Sequence, residues 1–138
     1  MQIQPYLSFE GRCEEAAEFY RHALGAEIVM MMRVKESPEA CPEGMMPPGS
    51  DDKILHLCLQ IGDAQLMASD GRCSGQPEFK GFSVSYTAPS AAAAEKAFGR
   101  LADGGRIEMP LGKTFFSPCF GMVADRFGVS WMVITAAQ

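Results

Sequence analysis

The chain has two histidines, and one of them lies where it could take part in chemistry. His56 stands in an alternating segment typical of a β-strand, whereas His22 lies in a stretch with helical spacing. An imidazole titrates near neutral pH, so His56 is the candidate catalytic acid or base and a candidate ligand contact. The alternative is a partly buried histidine, hydrogen bonded to Ser69 or a neighbour, with no chemical role. Cys58 is two residues away, but no Ser/His/Asp or Cys/His order indicates a nucleophilic site.

The sulfur-containing residues indicate a reducing compartment. Five cysteines occur, an odd number, and no two stand at C-x-x-C spacing. This pattern argues against a disulfide scaffold and against a structural zinc site, and it predicts reduced thiols in a cytoplasmic protein. Ten methionines predict flexible core filler or, alternatively, an adaptable apolar lining around a ligand.

Composition limits the class of protein. The chain has 138 residues, 47% of them hydrophobic, and its 12 basic and 17 acidic residues give a net charge of −5. The length fits one domain, and the hydrophobic content excludes a disordered chain. The negative charge argues against nucleic-acid binding. We expect no membrane span, since no apolar run reaches ~18 residues, and no secretory leader at the start of the chain.

Hydrophobic periodicity predicts two helices, Cys13–Leu24 and Ala91–Ala102, with Gly25 after the first and Ser90 as a possible N-cap of the second. Alternation or short apolar runs predict the strands, which are 3–9, 26–34, 54–61, 64–69, 82–87, 106–111, 119–124 and 129–135. The segments 36–53 and 70–80 are predicted loops, and the first is long enough to suggest a lid or a partner contact.

The predicted elements repeat. Phe19, Ala23, Gly25 and Ile28 recur 79 residues later as Phe98, Ala102, Gly104 and Ile107. We therefore predict an α+β fold of two βαβββ repeats, about 1–70 and 80–138, within a single domain at 1–138. The repeats are expected to form a cup-shaped mixed β-sheet with helices on the outer face and a cleft inside.

The dipeptide Gly62-Asp63 predicts a two-residue hairpin turn, which fixes the register of the flanking strands. Leu59 should then face Leu66, and Cys58 should face Met67. One face is entirely apolar and must pack on a helix; its members are Leu55, Leu57, Leu59, Ile61, Ala64, Leu66 and Ala68. The other should face the cleft; its members are His56, Cys58, Gln60, Gln65, Met67 and Ser69.

In the second half, the alternation predicts that Phe82, Val84 and Tyr86 face the cleft, with Met132 beside them. Phe116 lies in an aromatic loop that is interpreted either as a plug between the halves or as a rim over a planar ligand. Asp125 and Arg126 are expected to form a solvated turn with a weak local ion pair. The predicted ligand-binding residues are His56, Cys58, Met67, Ser69, Phe82, Tyr86, Phe116 and Met132.

Short motifs spread over nearly the whole chain carry a resemblance. They are Tyr6–Gly11, Glu18–Tyr20, Leu24-Gly25, Lys53–His56, Met67–Asp70, Gly81–Val84, Met109–Leu111 and Asp125–Val133. Together they resemble the vicinal oxygen chelate superfamily, which includes glyoxalase I and the bleomycin-resistance proteins. More narrowly, the chain is similar to the PhnB-like branch, often labelled demethylubiquinone methyltransferase-like.

Many members of that superfamily hold a divalent metal with four side chains from the first and last strands of each half. Matching by strand order places these positions at Pro5, Met67, Phe82 and Met132. None is a donor that such ions prefer, so no metal and no other cofactor is expected. A methyl-donor site of the usual kind would need a parallel sheet and a glycine-rich turn between strand and helix, which Gly11-Arg12-Cys13 does not supply.

These observations favour a cytoplasmic, metal-free protein that binds a small, partly apolar molecule in a cleft and pairs with itself as a homodimer. One alternative is an enzyme of lyase, isomerase or transferase type that uses His56 as acid or base, or a metal held by nonstandard groups. The other is an interaction or structural dimer whose cleft is filled by its own Met and Phe side chains.

Overall fold

Each half of the chain folds into a four-stranded mixed sheet with one helix packed on it. The computed structural model describes residues 2–38, 49–71 and 77–136. The chain divides into two compact units, Met1–Pro77 and Glu78–Gln138. Cys41, Cys73, Met45 and Met46 lie outside the described residues, as do positions 39–48 and 72–76 of the predicted loops 36–53 and 70–80. Within the described ranges, no helix combines the length and apolar character that a membrane crossing requires.

The first unit contains strands β1 (Tyr6–Ser8), β2 (Glu27–Arg33), β3 (Ile54–Ile61) and β4 (Ala64–Ser69), and helix α1 (Cys13–Leu24). The strand order is β1-β4-β3-β2, with β1 parallel to β4 and the other pairs antiparallel. A short 3-10 turn, Val34–Glu36, follows β2.

The second unit contains β5 (Val84–Ala88), α2 (Ala91–Ala102), β6 (Arg106–Gly112), β7 (Phe120–Ala124) and β8 (Ser130–Thr135). Its strand order is β5-β8-β7-β6, again with one parallel pair, between β5 and β8. Both units therefore have the same βαβββ topology, and the prediction of an α+β fold built from two such repeats is confirmed.

Local signals placed the helices and the first hairpin correctly. Gly25 caps α1 in the left-handed conformation, with φ of +69°, and the Ser90 hydroxyl accepts a 3.1 Å hydrogen bond from the amide of Ala93 at the start of α2. Gly62 takes a positive φ of +58°, and β3 and β4 pair as Leu59 with Leu66 and Cys58 with Met67. The register predicted from the Gly62-Asp63 turn is confirmed.

The apolar face of the first sheet differs from the prediction at both ends, since Ile61 is half-buried and Ala64 is exposed at the hairpin end. Leu57, Leu59, Leu66 and Ala68 are buried, as expected for the face against α1, but Leu55 is half-buried and Ile54 is 1% exposed. The pairing of β2 with β3 goes from Met32–His56 to Arg33–Ile54 and skips Leu55, so strict alternation is broken within the first residues of β3. Ile54 rather than Leu55 therefore fills the core there.

Both units also carry a β-bulge at matching positions. The pairing shifts between Ile28 and Met30 in β2, and between Ile107 and Met109 in β6, 79 residues later. Such bulges are specific features of strand geometry. Their recurrence at the offset of the sequence repeat shows that β2 and β6 have the same local irregularity. They leave Val29 and Glu108 as the extra residues of their strands.

Candidate functional site

The face of the first sheet that carries His56 is built from three neighbouring strands. Cys58 pairs with Met67 across the hairpin, and Met67 pairs in parallel with Tyr6. Residues at paired positions project from the same face of a sheet, so these three side chains form one row. His56 pairs with Met32 and belongs to the next row of the same face.

His56 has a defined partner on this face. Its Nδ1 lies 3.1 Å from the Tyr6 hydroxyl, and the two rings stack with centroids 5.6 Å apart and planes at 26°. The Ser69 hydroxyl instead accepts a 3.1 Å bond from the amide of Gly71. The hydrogen-bond partner of His56 in the structure is therefore Tyr6 and not Ser69. A phenol and an imidazole at this distance can share a proton and can both contact a ligand.

Tyr6 was missed by sequence reasoning. It lies in the first strand, where alternation was recognised, but nothing local says which strand β1 joins or in what register. A parallel pair depends on a connection of more than 50 residues in this unit, from β1 to β4. Matching by strand order had placed the superfamily's metal position of the first strand at Pro5, whereas the residue that pairs with Met67 in the structure is Tyr6.

The cysteine of this face is shielded. Cys58 is 8% exposed, and the structure records it as a free thiol, as it does Cys13 and Cys119. Cys13 lies at the start of α1, where burial raises the pKa of its thiol far above the usual value, and the nearby charge of Asp70 raises it further. Cys13 is therefore held as an unreactive thiol rather than a nucleophile.

The second unit contains a pocket of about 560 Å³. It brings together Phe82 and Met132, two of the predicted ligand contacts. The Ser83 hydroxyl donates a 2.9 Å hydrogen bond to the Ser130 hydroxyl, and the rings of Phe79 and Phe82 meet edge to face with centroids 6.4 Å apart. The remaining lining residues are Gly81, Arg106, Glu108, Ala124 and Gly128. The pocket thus combines apolar rings, hydroxyls and two opposite charges.

Arg106 and Glu108 were not singled out from the sequence. They lie on β6, whose members are mostly exposed, and the segment shows no periodicity that would aim them at a site. Arg106 pairs with Ala124, which places it on the same face as Ser130, while Glu108 is the extra residue of the bulge. Only the pairing of β6 with β7 brings both charges to the pocket.

Tyr86 does not lie beside Met132. Val84 pairs with Trp131 and Tyr86 with Val133, and Trp131 and Val133 are buried on the face against α2. Met132 pairs with Ser85 instead. The predicted parity fails because it was counted from Phe82, which precedes the first residue of β5; the ladder with β8 sets the register from Val84 onward.

Phe116 belongs to an aromatic cluster of the second unit. Its ring meets Phe115 and Phe120 edge to face, with centroids 5.1 and 5.0 Å apart, and the residue is 42% exposed. It is absent from the residues that line the 560 Å³ pocket. Its role as a ligand contact stays a prediction.

Asp125 is not part of a solvated turn. It is 3% exposed, and its carboxylate accepts bonds from the amides of Phe127 and Val129 and from the indole N–H of Trp131, at 2.9, 3.1 and 2.9 Å. Arg126 pairs with Asp103 instead, at 3.2 Å. The expectation of a local Asp125–Arg126 pair was wrong because the hairpin turns the carboxylate inward, onto donors that a buried charge requires.

The residues at the superfamily's metal positions do not fit a divalent ion. In the structure Met67 is paired with Tyr6, and Met132 with Ser85. Thioethers, a phenol and a hydroxyl are not the donors that hard or borderline divalent ions prefer. Among residues 2–38, 49–71 and 77–136, no three His, Cys, Asp or Glu side chains are grouped so that they could hold a metal.

The fold and these faces define a class of protein. The βαβββ pairs are those of the glyoxalase/bleomycin-resistance fold, and a domain of that description from Frankia sp. EAN1pec aligns with 99% of this chain and 95% of its own, at a TM-score of 0.63. At 13% identity this likeness concerns the fold alone. The class defined here is therefore that of proteins with the glyoxalase/bleomycin-resistance fold.

Within that class, residues 1–134 match the family model described as 3-demethylubiquinone-9 3-methyltransferase. The chain belongs to this family, the PhnB-like branch of the superfamily, as the motifs indicated. It is 36% identical to Protein YjdN of Escherichia coli (strain K12), over 100% of this chain and 97% of that protein.

Two solved structures are similar over the whole chain. Protein PA1353 from Pseudomonas aeruginosa is 42% identical, with a TM-score of 0.86 and coverage of 100% of this chain and 99% of its own. The PhnB protein from Bacillus cereus, which carries the same methyltransferase description, is 30% identical, with a TM-score of 0.79 and coverage of 99% and 100%.

Proposed function

We propose that this chain is a metal-free binding protein for a small, partly apolar molecule, and that the pocket beside Phe82 and Met132 receives it. The observation that carries the proposal is the pocket itself, whose volume of about 560 Å³ falls in the range of roughly 300–1,000 Å³ typical of small-molecule sites. The aromatic rings of the pocket would cover the apolar surface of the ligand. The hydrogen-bonded hydroxyls of Ser83 and Ser130 would orient a polar group of the ligand.

The composition of the site supports this function over methyl transfer. A methyl-donor nucleotide of the usual kind is held by a glycine-rich turn after a strand of a parallel sheet. Each sheet of this chain has one parallel pair, and the described strand-to-helix connections contain no such turn. We therefore do not infer methyltransferase activity from the description of the family, and we propose that the chain binds a small molecule. The two repeats are proposed to act as one domain, in a reducing compartment that suits the free thiols.

A pocket-filling variant tests the proposal. Ala124 lines the pocket, so Ala124→Leu would place added apolar volume inside it, whereas Ala92→Leu makes the same change on an exposed position of α2. The probe is 8-anilinonaphthalene-1-sulfonate, an aromatic anion, with binding followed by fluorescence and by amide chemical shifts. We expect wild type and Ala92→Leu to bind it at residues of the pocket, and Ala124→Leu to bind at least about tenfold more weakly, a loss of ~1.4 kcal/mol.

Two results would contradict the proposal. One is the absence of shift changes at Ser83, Ser130 and their neighbours in wild type at saturating probe. The other is equal affinity in the two leucine variants, which would mean that the probe binds elsewhere on the chain.

A second candidate function is catalysis by the Tyr6–His56 pair. The observation that favours it is the 3.1 Å contact between the Tyr6 hydroxyl and His56 Nδ1, because a phenol hydrogen bonded to an imidazole can relay a proton. Small molecules released on denaturing purified wild type and His56→Ala would separate the two functions. An enzyme of this kind leaves product in wild type and unconverted substrate in the variant, whereas a binding protein leaves the same molecule in both.

A further inference from the structure

We propose that the pocket of the second unit takes a zwitterionic ligand with an apolar side chain, of the chemical class of an α-amino acid. Arg106 would bind the carboxylate and Glu108 the ammonium group. This inference rests on the proposed binding function and adds the class of ligand to it.

The two charges lie on one strand at one pocket. Both residues line it and are two positions apart on β6, where Glu108 is the extra residue of the bulge. Arg106 is on the face that carries Ser130, through its pairing with Ala124. Groups with opposite charges on adjacent carbons of a ligand could therefore be reached by the two side chains at once.

Within the described residues, the charges of Arg106 and Glu108 are not neutralised by ion pairs. Two ion pairs of the unit join other residues, Arg126 with Asp103 at 3.2 Å and Lys80 with Glu78 at 2.9 Å. Within the described residues, no ion pair involves Arg106 or Glu108, although they are two residues apart on the strand. A ligand with only one charge would form an ion pair with only one of the two side chains.

The rest of the pocket suits the apolar part of such a molecule. Phe79 and Phe82 meet edge to face, and Met132 adds a flexible thioether side chain. An aromatic or large aliphatic side chain could therefore lie against these three groups while its charged end is held at β6.

Three probes of similar size separate the charges. They are L-phenylalanine, which has both charges, 3-phenylpropionate, which has only the carboxylate, and 2-phenylethylamine, which has only the ammonium. Affinities are measured by calorimetry, with amide shifts to locate the bound probe. Because exposed ion pairs contribute about 0.2–1 kcal/mol each, we expect phenylalanine to bind about 1.4- to fivefold more tightly than either singly charged probe.

Charge-removing variants assign each end. In Glu108→Gln the advantage of phenylalanine over phenylpropionate should vanish, and in Arg106→Gln its advantage over phenylethylamine should vanish. Glu95→Gln, an exposed acid on α2, is the matched control and should keep both advantages. Because β6 is an edge strand with exposed side chains at these positions, melting temperatures close to wild type are expected and are measured for each variant.

The outcomes distinguish this inference from the proposed function. If the three probes bind wild type equally, or if the two charge variants behave as Glu95→Gln does, the zwitterion inference is wrong while the pocket stands. If none of the three binds but the naphthalene sulfonate probe still maps to the pocket, the ligand class is again wrong. If no probe maps there, the proposed function fails as well.

Discussion

His56 and Leu57 are neighbours in the chain with opposite surroundings. Leu57 is 0% exposed on the face against α1, whereas His56 is half-buried on the other face and contacts Tyr6. Leu57→Ala should cost about 2–5 kcal/mol as a core truncation. His56→Ala should cost less than about 1.5 kcal/mol, since it removes one hydrogen bond and empties no core.

Denaturant midpoints of the two variants give the comparison, with equal slopes as the sign of unchanged cooperativity. If His56→Ala is as damaging as Leu57→Ala, then His56 is a structural residue. The candidate function of the Tyr6–His56 pair would then have to be given up.

Asp125 and Arg126 form a second contrast between neighbours. Asp125→Ala leaves two buried amides and an indole N–H without their acceptor, and bonds to charged groups contribute about 1.5–3 kcal/mol each. We expect a loss of about 3 kcal/mol or more in the free energy of unfolding. Arg126→Ala breaks exposed contacts to Asp103 and should cost below about 1 kcal/mol. Thermal unfolding of both measures the difference, and a similar loss in the two would show that the buried acceptor has no special role.

At the scale of the elements, Gly99 in α2 and Gly105 in the turn after it have opposite roles. Gly99 lies within α2, and nothing is within 4 Å of a Cβ built there. Gly105 precedes β6, and a Cβ there would collide with the carbonyl oxygen of Ala124 in β7. The first glycine only weakens its helix, whereas the second allows two strands of the sheet to approach.

Alanine at the two positions should therefore shift stability in opposite directions. Gly99→Ala should raise the free energy of unfolding by about 0.5–1 kcal/mol, because glycine is a poor helix former. Gly105→Ala should lower it by about 1–3 kcal/mol through forced displacement of β7. Melting curves of the single variants decide. An unchanged melting temperature in Gly105→Ala would mean that the contact with Ala124 can relax freely.

At the scale of the whole molecule, assembly is the first expectation. Large apolar side chains are exposed on the edge strands β2 and β6, Val29 and Ile107 at 50% and Met109 at 45%. Exposed apolar edges of this kind are typical of surfaces that another chain covers. We predict a homodimer at low micromolar concentration, measured by size-exclusion chromatography with light scattering. Val29→Lys should shift the mass toward the monomer and Ala92→Lys should not, while a monomeric wild type would contradict the prediction.

Metal content is the second expectation at this scale. The donors at the superfamily's metal positions do not fit divalent ions, so protein purified without added metal should contain no stoichiometric Zn, Ni, Fe or Mn. Elemental analysis measures this directly. About one tightly held ion per chain, removed by a chelator with a fall in melting temperature, would falsify the metal-free proposal.

The sequence by itself determined the features that depend on neighbouring residues. Both helices, the strands β3 and β4 and their turn at Gly62-Asp63 were placed to the residue, because capping, glycine conformation and alternation act over a few positions. The repeat and the family motifs then gave the fold. His56, Cys58 and Met67 were assigned to one face for the same local reason.

Tertiary structure decided the features that join distant segments. The parallel partner of β1 brings Tyr6 to His56, the ladder with β8 turns Tyr86 toward α2, and the hairpin before β8 buries Asp125. The pocket charges Arg106 and Glu108 depend on how β6 pairs with β7. In each case the register of a non-local pair selects the face, and a shift of one residue reverses it. No signal within a single strand fixes that register.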